Sequence, residues 1–340
     1  MNSYERVMDR LKGKPVDRVP NFDIIMGFGA HYVGATLSQY LLDYHYVVKS
    51  NLAMVSDFDI DILQTLTDPF REAVDFGLEV EFSEDWLPKR IRPLLAPGDD
   101  LKKVPLIDPG NGRRMSDRIE AVRMLHEQAN KVVPVMGWVE GAMAEANDLL
   151  SDTIMMTTFY DEPEWLTALL EKITEVEIAF AQIQIDAGAD IVGLGDAIAS
   201  VVSPAMYRKF ALPYEKRIFA AVHEKGALAR LHICGNTSKI LPDMLASGAD
   251  FIDIDWMVDY RKAAEIFGGQ AGLVGNFDPV SIMLNGSEQE IEEAVLRCLN
   301  EGGAKSFSAA GCEIPDGTPV DHLKLHARVL REVGSPSVPK

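Results

Sequence analysis

Two short segments carry residues that bind soft metal ions: Leu231-His232-Ile233-Cys234-Gly235-Asn236 and Ala310-Gly311-Cys312-Glu313. His232 and Cys234 stand two apart at the end of an apolar run, and residues i and i+2 of a strand point to one face. On a regular strand their Cα atoms lie about 6.6 Å apart. The long imidazole closes that gap if the chain curls at Gly235. Cys312 would add a third ligand from a distant strand end. One imidazole and two thiolates make a set that favours zinc over magnesium or calcium. Three protein ligands leave a fourth position open, as catalytic zinc sites do, whereas structural sites close with four. Two thiolates already neutralise the dication. A substrate thiol entering the open position would lose its proton at neutral pH and stay nucleophilic. The competing reading makes His232 a core histidine and both cysteines small buried hydrophobes. Cys298, within Ile291–Leu299, falls on the apolar side of a helical stretch and reads as core packing.

Such a site needs a scaffold that brings separated strand ends together. Eight apolar, often β-branched runs punctuate the chain: Val19–Met26, Ile60–Leu66, Val132–Trp138, Asp190–Leu194, Leu228–Ile233, Phe251–Ile254, Leu273–Val274 and Ser306–Ala309. Amphipathic stretches lie between them, at Ser116–Asn130, Glu164–Ala187, Pro204–Lys225, Thr237–Ala246, Tyr260–Phe267 and Glu288–Leu299. Strands alternating with helices predict an α/β fold with a parallel sheet. Eight such units predict a closed (β/α)8 TIM barrel, with a doubly wound open sheet as the alternative. A single domain is expected over residues 1–335, followed by a tail at 336–340. Asp68 to Pro109 does not fit one unit and is expected to be an excursion between early strands, with a hairpin or lid around Val80–Ile91.

Polar residues follow several of the runs. Glu140 comes after Val132–Trp138, Asp196 after Asp190–Leu194, Asp255 after Phe251–Ile254, and Asn276 and Asp278 after Leu273–Val274. In a barrel these ends converge on one mouth, where active sites are built. Turn and capping preferences place Asp and Asn at the same points. That reading competes most directly at Asp278, just before Pro279. Asp253 and Asp255 share a strand face and would suit a paired-carboxylate mechanism only at a defined separation.

The 340 residues include 33 basic and 52 acidic side chains, a net charge of −19, with 47% hydrophobic residues. This is an ordinary globular composition and excludes disorder, collagen and a disulfide-stapled mini-protein. The acidic balance argues against nucleic acid, whose phosphates require clustered cations, and against anionic membranes. No apolar run approaches the length that spans a bilayer. Met1 to Lys14 is polar and lacks a signal-peptide segment, so a cytoplasmic protein is expected. Three cysteines argue against a disulfide framework. Gly193-Leu194-Gly195 lacks the rest of a dinucleotide fingerprint, and no P-loop, nucleophile elbow or H-E-x-x-H is present.

Further segments carry a resemblance. Gly248-Ala249-Asp250 through Asp255-Trp256, Gly275-Asn276-Phe277-Asp278-Pro279, and Thr67-Asp68-Pro69 through Gly77-Leu78-Glu79-Val80-Glu81-Phe82 resemble motifs of the uroporphyrinogen decarboxylase superfamily. The resemblance runs over nearly the whole chain and implies a (β/α)8 barrel. The decarboxylase branch uses an M-R-Q-A-G-R-Y segment whose arginines clamp substrate carboxylates. Here Met26-Gly27-Phe28-Gly29-Ala30-His31-Tyr32 stands in its place, with Gly27 and His31 where the arginines would be. The bidentate clamps are lost, and the branch's C-terminal G-H-G-I becomes Gly311-Cys312-Glu313-Ile314. Asp68 is retained.

The other branch resembles this chain more closely. Its zinc methyltransferases, of the methylcobamide:coenzyme M type, carry H-x-C-G-N and a later G-C-x-[IV]-P-x-G-T-P. This chain has His232-Ile233-Cys234-Gly235-Asn236 and Gly311-Cys312-Glu313-Ile314-Pro315-Asp316-Gly317-Thr318-Pro319. The resemblance implies zinc on His232, Cys234 and Cys312. It also implies methyl transfer between a methylcobamide (corrinoid) carried by a partner protein and a small thiol such as coenzyme M. Asp68 and Glu140 are then the candidate catalytic residues, and Asp196, His31, Asn276 and Asp278 the candidate substrate-binding ones. Glu140 or Asp196 would fill the fourth zinc position when substrate is absent. Alternatives implied by the resemblance are transfer from methoxylated compounds or methylamines to the corrinoid, a decarboxylase acting through Asp68, and a non-catalytic corrinoid or tetrapyrrole binder. Barrels of this kind often pair, so a homodimer is possible.

Overall fold

The computed structural model describes residues 1–334; the expected tail at 336–340 lies outside them. The strands are β1 (Leu63–Gln64), β2 (Val80–Glu81), β3 (Lys89–Arg90), β4 (Val135–Glu140), β5 (Ile191–Gly195), β6 (Leu228–His232), β7 (Phe251–Ile254), β8 (Gly272–Phe277) and β9 (Ser306–Ala310). Seven of them form one sheet in the order β1-β4-β5-β6-β7-β8-β9, every pair parallel. Asn21 bridges both edges, to Ile60 beside β1 and to Ser308 in β9, which closes the ring. The expected (β/α)8 barrel is therefore the fold, with helices wrapping a sheet buried on both faces. β2 and β3 pair antiparallel as the expected hairpin in the early excursion.

The eighth strand differs from its expected form. Val19–Met26 makes single bridges at Asn21 and no ladder. Pro20 has no N–H to give a ladder. One turn further on, the Asp23 carboxylate accepts the Ala310 amide at 2.8 Å where a strand would offer a carbonyl. Pro134 likewise delays β4, which starts at Val135 and not at Val132. Pro213 splits the expected Pro204–Lys225 helix into Pro204–Phe210 and Leu212–Glu224. Thr237–Ala246 is helical only over Leu241–Leu245.

The barrel interior is layered. Phe22, Phe251 and Phe307 pack at one level, with ring centroids 4.7–5.5 Å apart. Arg230 lies over Phe22, 5.3 Å from its centroid. Towards the strand C-termini come Trp138 and His232, whose rings are 6.2 Å apart. Alternate residues of a strand face one side, so Met136, Trp138 and Glu140 on β4, and Arg230 and His232 on β6, climb the same interior wall.

Candidate metal centre

His232 is the last residue of β6, and Cys234 follows two positions on. Gly235 adopts φ +94°, a left-handed turn that side chains resist. Its amide donates to Asp255 Oδ2 at 2.5 Å, and the chain curls as the sequence required. On the far strand, Gly311 lets β9 end against the loop after β7. A Cβ there would come within 2.3 Å of the Trp256 nitrogen. That close approach delivers Cys312 to the other two.

His232 Nε2 lies 2.9 Å from Cys234 Sγ and 3.9 Å from Cys312 Sγ, and the two sulfurs are 3.6 Å apart. A tetrahedral zinc with bonds of about 2.0–2.3 Å sets such atoms roughly 3.5–3.8 Å apart. The donor set therefore fits one ion after shifts of under an ångström. Among the described residues these three are the group of His, Cys, Asp or Glu whose ligand atoms converge this way. Neither Glu140 nor Asp196 is in it, so neither fills a fourth position in this arrangement.

A buried network orients the ring. His232 Nδ1 donates to Asp253 at 2.7 Å. The Arg230 guanidinium holds the same carboxylate at 2.8 and 3.0 Å. Burial would raise the Asp253 pKa, but Arg230 and His232 hold it below the ordinary range. Burial opposes a charge on His232, yet Cys234, Asp253 and Cys312 raise it well above its usual value. The hydrogen bond from Cys234, aided by His232, outweighs burial and brings the Cys312 thiol down to about 4.

The other sequence candidates divide. Glu140 ends β4 and lines a cleft of about 410 Å³. His31 lines a second cleft of about 550 Å³ beside Glu313 and is held by Asp316 at 2.5 Å and Asp85 at 2.9 Å. Asp196 is fully buried, and neither carboxylate oxygen has a hydrogen-bond partner. Asp68 is also buried; Arg114 clamps it at 2.6 Å and the Phe70 amide takes its other oxygen. Two expectations are corrected. Asn276 is not turned to a substrate: its amide donates to Val258 and Asp255 carbonyls and its oxygen accepts from Arg297. Asp278 caps the turn Pro279–Leu284 through the Val280 and Ser281 amides, which is the capping role that competed from the start.

Sequence reasoning missed several residues. Asp253 was seen only as half of a carboxylate pair, whereas it orients His232; Arg230, an isolated charge within an apolar strand, was the available signal. Glu72, Glu145 and Glu177, all fully buried, form an acidic group around Arg71. Helical spacing alone would have placed Glu145 and Glu177 anywhere around their helices.

The uroporphyrinogen decarboxylase family model matches residues 2–333. The chain belongs to the uroporphyrinogen decarboxylase family. Within it, a methylcobamide:CoM methyltransferase MtbA from Methanosarcina mazei is 29% identical over 326 residues, covering 94% of this chain and 95% of the relative. A uroporphyrinogen decarboxylase from Chlorobaculum tepidum is 30% identical over 271 residues, 75% of each chain. Among solved structures, a methyltransferase from Methanosarcina mazei superposes with a TM-score of 0.89 at 25% identity, covering 98% of this chain and 99% of that one. Among the described residues, no helix of this family member is long and apolar enough to cross a membrane.

Proposed function

We propose that this chain moves a methyl group between a corrinoid borne by a partner protein and a small thiol. The observation that carries the proposal is the convergence of His232, Cys234 and Cys312 at the barrel mouth. The full-length similarity to methylcobamide:CoM methyltransferases supports it. In the transfer, a sulfur–carbon bond forms and the cobalt–carbon bond of the corrinoid breaks. The bonding pair stays on cobalt, and the thiol proton leaves to solvent. Zinc would be held by His232, Cys234 and Cys312, and would supply the acidity that makes a thiol an anion at neutral pH.

The chain's own residues do the rest. Asp253 fixes His232 with Nδ1–H on its own carboxylate and Nε2 towards the sulfurs, the tautomer that a metal-binding Nε2 requires. Arg230 keeps Asp253 ionised in the barrel interior. Trp138, tilted at 57° to the His232 ring with centroids 6.2 Å apart, walls one side of the tripod. Asp68 positions the helix Arg113–Ala129 through Arg114; a proton-transfer role in a decarboxylase would require breaking that pair.

The test is turnover of methylcobalamin by the zinc-loaded chain with a panel of small thiols, read as cob(I)alamin absorbance and thioether formation. His232→Ala and Cys312→Ala are expected to lose both the metal and at least a hundredfold of the rate. Full activity in the metal-free His232→Ala variant would overturn the proposal.

A further inference from the structure

Two clefts open near the tripod, and no lysine or arginine lines either of them. The larger has a single base, His31, already bracketed by Asp316 and Asp85. The smaller is walled by Ala144, Met156, Ile198 and Val201, and carries Glu140 and Asp148 on that apolar lining. Glu140 is 6% exposed and Asp148 8%. The Asp148 carboxyl has no hydrogen-bond or ion-pair partner among the described residues. Arg90, the nearby cation, is spent on the main-chain carbonyls of Asn147 and Asp148 at 3.1 and 2.8 Å. Glu140 Oε1 takes the Trp138 indole N–H at 3.2 Å and lies 3.6 Å from Arg71. Its Oε2 has no hydrogen bond among the described residues.

This cleft is in register with the metal ligands. Glu140 on β4 pairs with Gly195 on β5, and Gly195 pairs with His232 on β6. Neighbouring strands lie about 4.8 Å apart, so Glu140 and His232 stand about 10 Å apart at the backbone. Both side chains point inward. The Trp138 indole and the Glu140 carboxylate lie over Gly195, where an added Cβ would be 3.0 Å from Trp138 Cζ2 and 3.2 Å from Glu140 Oε2. A molecule with its sulfur at the tripod would carry its charged group past the Trp138 indole edge to meet the carboxylates.

We infer that the small thiol of the reaction carries a cationic group, such as an ammonium, seated in the cleft between Glu140 and Asp148, and not the anionic sulfonate of coenzyme M. This rests on the methyl-transfer reading for the position of the sulfur. The physical argument is charge pairing. A buried carboxyl without a hydrogen-bond partner, as at Asp148, is costly; a cation in the cleft satisfies it, whereas a sulfonate would add a like charge to a lining that carries carboxylates and no lysine or arginine. Without a ligand, burial raises both carboxyls well above their ordinary range, as unsatisfied acids behave.

The experiment uses three thiols of one length, 2-aminoethanethiol, 2-mercaptoethanol and 2-mercaptoethanesulfonate, with methylcobalamin and the zinc-loaded protein. The expected kcat/KM is at least tenfold higher for the ammonium thiol than for the neutral one, and higher still than for the sulfonate. Asp148→Asn and Glu140→Gln are expected to shrink that preference to within threefold. Their folding is checked by thermal melting, and the wild-type charge order decides the matter without them. In parallel, calorimetry compares propylammonium with propanesulfonate, which have no sulfur to transfer to. Tighter binding of propylammonium, lost in Asp148→Asn, supports the inference; equal or tighter binding of propanesulfonate, or preference for the sulfonate thiol, overturns it. If none of the thiols is methylated, methyl transfer to thiols fails on its own, and the binding order still decides the charge of the cleft.

Discussion

Asp253 stands between Arg230 and His232, accepting two hydrogen bonds from the guanidinium and one from the imidazole at 2.7 Å. Asp253→Asn would leave the ring free to present the wrong nitrogen. The expected result is a 10–100-fold weaker zinc affinity, measured by competition with a chromogenic chelator. It would also strand a buried guanidinium, at a cost of about 3–5 kcal/mol. Arg230→Met added to Asp253→Asn should recover much of the stability while the zinc affinity stays low. Unchanged zinc affinity in the single variant would show that the carboxylate serves Arg230 alone.

Cys298 separates metal chemistry from packing. It is buried on the helix Glu288–Glu301, and its sulfur accepts the Asn276 amide at 3.3 Å. Cys298→Ala is expected to cost about 1 kcal/mol and to leave one zinc per chain by metal analysis. Cys234→Ala and Cys312→Ala should fall well below that stoichiometry. A loss of zinc in Cys298→Ala would mean that the assignment of the three cysteines is wrong.

The barrel and the tripod were both legible in the sequence, for different reasons. Buried parallel strands read as apolar runs because both faces are covered, and seven of the eight runs overlap an observed strand. His232 and Cys234 show the period of two that puts them on one face, while Cys312 enters as a thiol at a distant strand end whose pairing the resemblance strengthens, because no local pattern relates residues 78 apart. The first run misled because a proline and an aspartate side chain replaced its ladder. Asn276 misled because a strand end supplies turn groups and ligands from the same residue types. The acidic group around Arg71 was invisible, since an amphipathic helix pattern records which positions are polar and not which are forced inward by a neighbouring helix.

Gly193 offers a test of the wall beside His232. It faces the Trp138 ring, and an added Cβ would lie 2.2 and 2.5 Å from two of the indole carbons. Trp138 is buried and tethered by Glu140, so it has little room to yield. Gly193→Ala is expected to destabilise the fold by about 1–3 kcal/mol, as overpacking does. The shifted indole should also report itself as a changed emission spectrum. A variant that melts with the wild type and keeps its spectrum would show that the ring moves freely, and the wall is then soft.

Glu145 and Glu177 make stability depend on pH in a stated direction. Both are fully buried, and none of their carboxylate oxygens has a hydrogen-bond partner. Burial first, then Glu72 and each other's neighbours, raise both well above their ordinary range. In the unfolded chain they ionise near pH 4.3. Below that pH both states carry the proton and the stabilisation is whole. As the pH rises, the unfolded state ionises first while the fold keeps its protons, so stability falls through the raised folded values. Each group costs about 1.4 kcal/mol per pH unit within that window. Glu145→Gln and Glu177→Gln keep the shape and remove the titration, so their melting temperatures should exceed the wild type's at pH 8, with the gap closing towards pH 5. Thermal scans across that range measure it, and a gap that does not change with pH would mean the carboxyls are ionised in the fold and held by charges the geometry does not contain.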